Sequence, residues 1–397
     1  MYKKLSILAL LILVLILPIL FFTILDIEQD TFEPHDKGLQ QLEKQTISKG
    51  ITVYSTDAFV LGRYENKIYL DTPTLSEVDT ESEVDTDSGQ IELFPEAKNI
   101  QFISVNEEYL VGVNNNSIQG YDRRTKELLW EKTYDDVLLH VALSPIEDNI
   151  LYFATSNIVY KINVSTGRMK NDYMMYDGFD HNPRIHLFED FVVYFGDAAT
   201  YIFDKDLTLL KKLEPMSNPF TDGDNIYYMQ RSINEDVNEQ KTIIKKYSLS
   251  KDEVEIISEI NYYEVLGFIG IGDNQELYLD MNLISEPGIA VIKDGKNTFK
   301  GTGYSGSAME TYPSGLVSLS GYYNGYIYYI FNRGEQFYYQ SSQEEQPNLY
   351  NRNEINLNSN ENPNEKKGLF NTRLIDNYLY VQGENRLIEI NLEEVLE

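Results

Sequence analysis

The sequence predicts an all-β chain: a single β-propeller of four-stranded blades behind one N-terminal transmembrane helix. Eight blades are expected, with seven as the alternative. Three observations lead there: an uncharged apolar run at the start, a unit of about 45 residues that recurs through the remainder, and period-two alternation inside each unit.

The apolar run comes first. Met1, Tyr2, Lys3 and Lys4 lead into LSILALLILVLILPILFFTIL, Leu5 to Leu25, where Ser6 and Thr23 are the polar members. At about 1.5 Å per residue the run spans roughly 30 Å, the thickness of a bilayer core. A cleaved signal peptide has a shorter core and a small-x-small cleavage site. Leu25, Asp26, Ile27 and Glu28 offer no such site, so residues 1–25 read as a retained signal anchor, with cleavage as the alternative. Pro18 is a kink that membrane helices tolerate. Lys3 and Lys4 place the N-terminus in the cytoplasm and everything beyond Leu25 outside it. Without those two lysines the net charge of −30 becomes −32. Residues 26–50 are polar, contain His35 and are broken by Pro34 and Gly38; they read as a juxtamembrane stalk or linker.

The recurring unit occupies 51–397. It is a short apolar or aromatic run, a polar turn, and a second run ending in Asp or Asn. Clear copies are YLVGVNNNSIQGYDRRTKELLW (Tyr109–Trp130), ILYFATSNIVYKINVSTGRM (Ile150–Met169) and VVYFGDAATYIFDKDLTLL (Val192–Leu210). One apolar anchor per unit gives Val60, Leu110, Leu151, Val193, Ile226, Leu277, Ile327 and Leu379, spaced 50, 41, 42, 33, 51, 50 and 52 residues apart. That is the length a four-stranded blade needs. The 33-residue step keeps seven blades open, since one anchor could belong to a neighbour's strands. The last copy stops soon after its third strand. A strand from about residues 39–55 is expected to complete it, because a ring must close to avoid bare edges. Two polar insertions, at about 74–90 and 340–368, are expected to be exposed loops; the first carries the tandem SEVDT copies Ser76–Thr80 and Ser82–Thr86.

Within the units, Gly120, Tyr121 and Asp122 precede Lys126–Trp130, and Lys161, Ile162 and Asn163 precede Ser165, Thr166, Gly167 and Arg168. These stretches resemble the blade motif of quinoprotein-dehydrogenase-like (PQQ-like, WD40-like) β-propellers, where a strand ending in Ala-Leu-Asp is followed by a Thr-Gly-x-Leu-Trp turn and strand. Only Trp130 keeps the tryptophan; Met169 and Leu210 stand in the equivalent places. The catalytic members stack a quinone on an indole in a larger propeller, so the resemblance implies a non-catalytic member without that cofactor. Related lipoprotein scaffolds of the cell envelope need an N-terminal cysteine, and this chain has none.

Composition removes several function classes. The absence of cysteine excludes disulfides, zinc–thiolate sites and thiol catalysis. The acidic balance, 63 Asp and Glu against 33 Lys and Arg, argues against nucleic-acid partners. Glu83, Asp85 and Asp87 alternate as in a calcium loop, but Gly89 falls one place late for that pattern, and a solvated loop is the plainer reading. Gly301, Gly303 and Gly306 match G-x-G-x-x-G by letters without a following helix, and read as a loop. A zinc site on His181 and His186 would need Asp177 and Asp180 to converge with them; His140 and His35 complete the histidines. Tyr322, Tyr323, Tyr326, Tyr338 and Tyr339 belong to an aromatic run that reads first as packing between blades, and otherwise as a platform for sugars or peptides.

The expected function is therefore that of a single-pass, membrane-anchored, extracytoplasmic propeller that binds a protein or cell-envelope glycan partner as a scaffold. No catalytic residue and no cofactor stand out, calcium being the one ion considered. A cell-surface glycan hydrolase or lyase, and the sensory ectodomain of a signalling assembly, are the alternatives.

Overall fold

In the computed structural model the described residues are 42–396, less 73, 81–87, 90, 135–137, 139, 176–179, 182, 233–240, 262–263, 273, 284–285, 302–318, 332–335, 342–352, 357–370 and 384–385. They form eight antiparallel sheets, numbered here as blades 1 to 8 in chain order. Blades 1 to 7 span residues 59–98, 102–133, 142–174, 184–213, 217–261, 264–301 and 319–356, each with four strands side by side in sequence order. Blade 8 takes Asn371–Ile375, Tyr378–Gly383 and Arg386–Asn391 from the end of the chain and Ile51–Tyr54 from its beginning. The closing register sets Ile51 opposite Ile390 and Tyr54 opposite Leu387. This is the closure expected from the incomplete last copy.

The packing explains the repeat. Second strands such as Ile150–Ala154 and Phe191–Phe195 are buried along almost their whole length, because a neighbouring sheet covers each face. Outermost strands such as Leu128–Thr133 alternate half-buried and exposed residues. Apolar clusters join blade 1 to 2, 2 to 3, 3 to 4, 4 to 5, 5 to 6 and 7 to 8. Another joins blade 8 back to blade 1 through Tyr54, Tyr380 and Leu387 against Val60, Ile68 and Val78. Blades 6 and 7 meet where Tyr278 and Tyr322 stack 4.4 Å apart.

Seven of the anchors fall on second strands, but Val60 lies on the first strand of blade 1, Phe59–Tyr64. The true equivalent lies on Lys67–Asp71, which returns the first interval to the ordinary length. The 33-residue step is real: blade 4 is complete, with short strands and tight turns. Seven blades are thereby set aside in favour of eight.

Two expectations need correction. The strand Leu42–Ser48 pairs with Ile51–Tyr54 and extends blade 8 outward, so the body begins inside the stretch assigned to the stalk. Leu42 is buried on one side of that strand, which is what seats it. The first SEVDT copy is not a loop either: Thr74–Asp79 is the third strand of blade 1, with Ser76, Glu77 and Val78 buried. Glu77 tolerates this because Lys67 Nζ lies 2.5 Å and Lys126 Nζ 3.5 Å from its Oε1. In the second insertion, Asn353–Asn356 forms the fourth strand of blade 7.

In blades 2, 3 and 4 the Asp or Asn that ends the unit closes the turn into the fourth strand. Asp122 Oδ1 accepts the N–H groups of Arg124 and Thr125 at 2.9 and 2.8 Å, and these bonds hold its carboxyl below the usual range. Asn163 and Asp204 repeat the arrangement. Trp130 then ties blade 2 to blade 3: its Nε1–H donates to the Val164 carbonyl at 2.5 Å, and its ring covers Gly167. Gly167 has φ +65°, and a Cβ there would come within 2.6 Å of the indole. Gly167→Ala should therefore lose about 1–3 kcal/mol of stability through overpacking alone, read as a lower urea midpoint with fluorescence of the single tryptophan as the reporter.

Candidate functional site

The innermost strands of blades 3, 4 and 5 are Ala142–Leu143, Arg184–Leu187 and Ser217–Thr221. They frame a hollow of about 490 Å³. Its apolar wall is Val141, Leu143, Ile185, Phe195 and Phe220, with Pro183 stiffening the approach to blade 4 and Pro219 lying within the inner strand of blade 5. Arg184, His186 and Thr221 are its polar groups. A concave surface that combines apolar walls with a few polar groups is a usual form of a recognition site.

His186 Nε2 and the Thr221 hydroxyl share a hydrogen bond of 2.9 Å that bridges blades 4 and 5. The ring is open to solvent at the mouth of the hollow but is backed by Phe188, 4.8 Å away. Desolvation of the part that packs inward lowers its pKa below the ordinary histidine value. Arg184 sits on the same strand two residues earlier, on the same side by strand alternation.

Two more histidines lie close together: the rings of His140 and His181 are 5.3 Å apart, edge to face. His181 does not meet His186 at a common centre. Asp180 is buried and already engaged, accepting the Tyr194 hydroxyl at 2.5 Å and the Asp197 N–H at 2.7 Å. Asp197 in turn accepts the His181 N–H at 3.0 Å. Among the described residues no three metal-ligating groups gather. Asp177 lies outside the described residues, as do His35, Glu83, Asp85, Asp87 and Gly303–Gly306.

The tyrosine run falls on blade 7. Tyr322 and Tyr323 end its first strand, Tyr326 begins its second, and Tyr338 and Tyr339 lie on its third. Tyr322 stacks on Tyr278 of blade 6. Tyr323, Tyr326 and Tyr339 are half-buried against the core between blades 7 and 8, and the rings of Tyr326 and Tyr339 meet edge to face at 6.3 Å. Most of the run thus sits between blades.

A polar cluster that local sequence spacing does not reveal lies where blade 8 meets blade 1. Arg63 Nη1 donates to Glu389 Oε2 and to the Tyr380 hydroxyl, both at 2.8 Å. Tyr380 donates to the same carboxylate oxygen at 2.9 Å, Tyr54 reaches Oε1 at 3.4 Å, and the guanidinium lies over the Tyr378 ring. The Arg63 and Glu389 side chains are only 3% and 9% exposed. The available signal was a charged residue on each of two strands, FVLGRY and RLIEIN, that otherwise read as buried.

The fold resembles three solved structures. The computationally designed Ika8 protein matches 89% of this chain and 99% of its own, with TM-score 0.55 and 10% identity. BamB from Moraxella catarrhalis matches 89% and 100%, with TM-score 0.52 and 10% identity. Saccharomyces cerevisiae Sqt1 matches 88% and 99%, with TM-score 0.52 and 9% identity. A scan against protein-family models finds no match, and neither does a search of curated proteins.

Proposed function

We propose that this β-propeller, of the quinoprotein and WD40-like type, is a scaffold held outside the cytoplasm by residues 1–25, and that it recognises a protein partner through the hollow framed by blades 3, 4 and 5. The observation that carries this reading is the hollow itself. Three neighbouring inner strands present aromatic and apolar side chains around Arg184 and the fixed His186–Thr221 pair. Such a surface is formed in advance, so a partner that docks there loses little energy in reorganising it.

The tether rests on Leu5–Leu25 and on Lys3 and Lys4. Among the described residues no helix is long and apolar enough to cross a membrane. The strongly negative net charge favours a partner with a cationic face and repels anionic lipid surfaces.

A photoreactive amino acid placed at Arg184 should give a covalent adduct with one discrete protein in intact cells. The same probe at Leu129, exposed on the outer strand of blade 2, should not. Equal labelling from both positions, or none from Arg184, would sink the assignment of the hollow. Protease added to intact cells should remove the propeller; a protected propeller would reverse the orientation.

A further inference from the structure

A second hollow, of about 360 Å³, lies between the first strand of blade 1, Phe59–Tyr64, the first strand of blade 8, Asn371–Ile375, and the approach to blade 2 at Ile100. Its wall is apolar, with Phe59, Leu61, Ile100 and Leu387 contributing. Arg373 opens into it. Of the five N–H donors on its guanidinium, Nη1 donates to the Val60 carbonyl at 2.9 Å. Among the described residues that is its one hydrogen bond, and no carboxylate pairs with it.

The contrast with Arg63 is informative. Both arginines lie at the junction of blades 8 and 1, and Glu389 neutralises Arg63 alone. The acid in the lining of the hollow, Asp71, has its Oδ1 taken by the Phe59 N–H at 2.5 Å. Gln382, also in the lining, keeps a buried Oε1 without a hydrogen-bond partner among the described residues. In a strongly acidic protein, an arginine without an acid beside an orphaned amide oxygen and apolar walls supplies the elements of a site for an anion with an apolar body.

We infer that the hollow between blades 8, 1 and 2 binds a carboxylate carried on an apolar group, with Arg373 taking the carboxylate and the side chains of Phe59, Leu61 and Ile100 covering the apolar part. The carboxylate can come from a small organic acid or from the C-terminus of a peptide ending in an apolar residue. A guanidinium suits either, because its planar fork meets both carboxylate oxygens. Gln382 Oε1 accepts an N–H when the ligand carries one. Desolvation where its stem enters the hollow holds the Arg373 pKa below its ordinary value, while the residue as a whole stays exposed and accessible to a ligand. The site is separate from the hollow assigned to the partner.

Calorimetric titration of the full-length protein in mild detergent tests this with two probes: phenylpropionate, and a tripeptide ending in phenylalanine. Each is used as the free acid and as the amide. At least one acid should bind, and its amide should bind about tenfold more weakly or worse. Binding of the small acid alone, the peptide alone or both identifies the source. Arg373→Gln should remove the preference for acid over amide. Phe59→Glu, at a position that is 46% exposed and so tolerant of change, supplies an internal carboxylate and should abolish acid binding while leaving circular dichroism unchanged. The inference is overturned if neither acid binds at millimolar concentration, if acid and amide bind alike, or if folded Phe59→Glu or Arg373→Gln protein binds the acid as the native chain does. Crosslinking from Arg184 should be unaffected in these variants, so failure here and failure of the partner site are told apart.

Discussion

Replacing Glu389 by alanine should lower the free energy of unfolding by about 3–5 kcal/mol. The carboxylate lies on a strand of blade 8, accepts hydrogen bonds from Arg63 of blade 1 and from Tyr380, and is also reached by Tyr54 of the closing strand. Its removal strands a guanidinium whose side chain is 3% exposed, and burying an uncompensated charge is what carries the cost. Arg63→Met should cost a comparable amount by orphaning the acid. The double variant Arg63→Met with Glu389→Leu should recover most of the loss, because two apolar residues of similar volume need no counter-charge. Urea denaturation of the native chain, Arg63→Met, Glu389→Leu and the double variant forms the cycle. Equal, additive losses in the single and double variants would show that the pair does not act as a unit.

Raising the pH above about 10 should unfold the protein steeply. Tyr54, Tyr69, Tyr121, Tyr194, Tyr328 and Tyr380 are 2% exposed or less. Burial pushes each hydroxyl well above the ordinary tyrosine value. In the unfolded chain they ionise near pH 10, while in the fold they keep their protons. The unfolded state then holds fewer protons, so stability is intact below pH 10 and falls as the pH rises. Each tyrosine contributes about 1.4 kcal/mol per pH unit. Six together cost about 8 kcal/mol one unit above their unfolded value, which is comparable with the whole stability of a typical domain. Tyrosinate absorbance and loss of the β circular dichroism should therefore appear together. Ionisation of these hydroxyls at ordinary pH with the fold retained would contradict their enclosure.

The blades were legible because their cause is local. A strand covered on both faces must be apolar along its length, and in three blades the turn to the fourth strand is closed by a side chain that accepts N–H groups, as Asp122, Asn163 and Asp204 do. The brace between Trp130 and Gly167 was visible only as two letters of a motif; that the indole of one blade rests on the turn of the next is decided by the packing of the blades. Burial of the first SEVDT copy was hidden for a related reason. A Ser-Glu-Val-Asp stretch reads as a loop until Lys67 and Lys126 are seen beside Glu77.

The two hollows were not legible at all. Arg184 comes from blade 4 and Phe220 and Thr221 from blade 5, and Arg373 and Phe59 lie more than three hundred positions apart. No spacing rule connects residues that meet only because a ring has closed. What the sequence determined by itself was the β period, the number of repeating units to within one, the need for an early strand to finish the last sheet, and the acidic charge. The tertiary structure alone decided that there are eight blades, which arginine received an acid and which did not, and where the inner strands leave space. Alternation along a strand is set by neighbouring residues, whereas pairing between charges and the shape of a concavity depend on which blades the closed circle brings side by side.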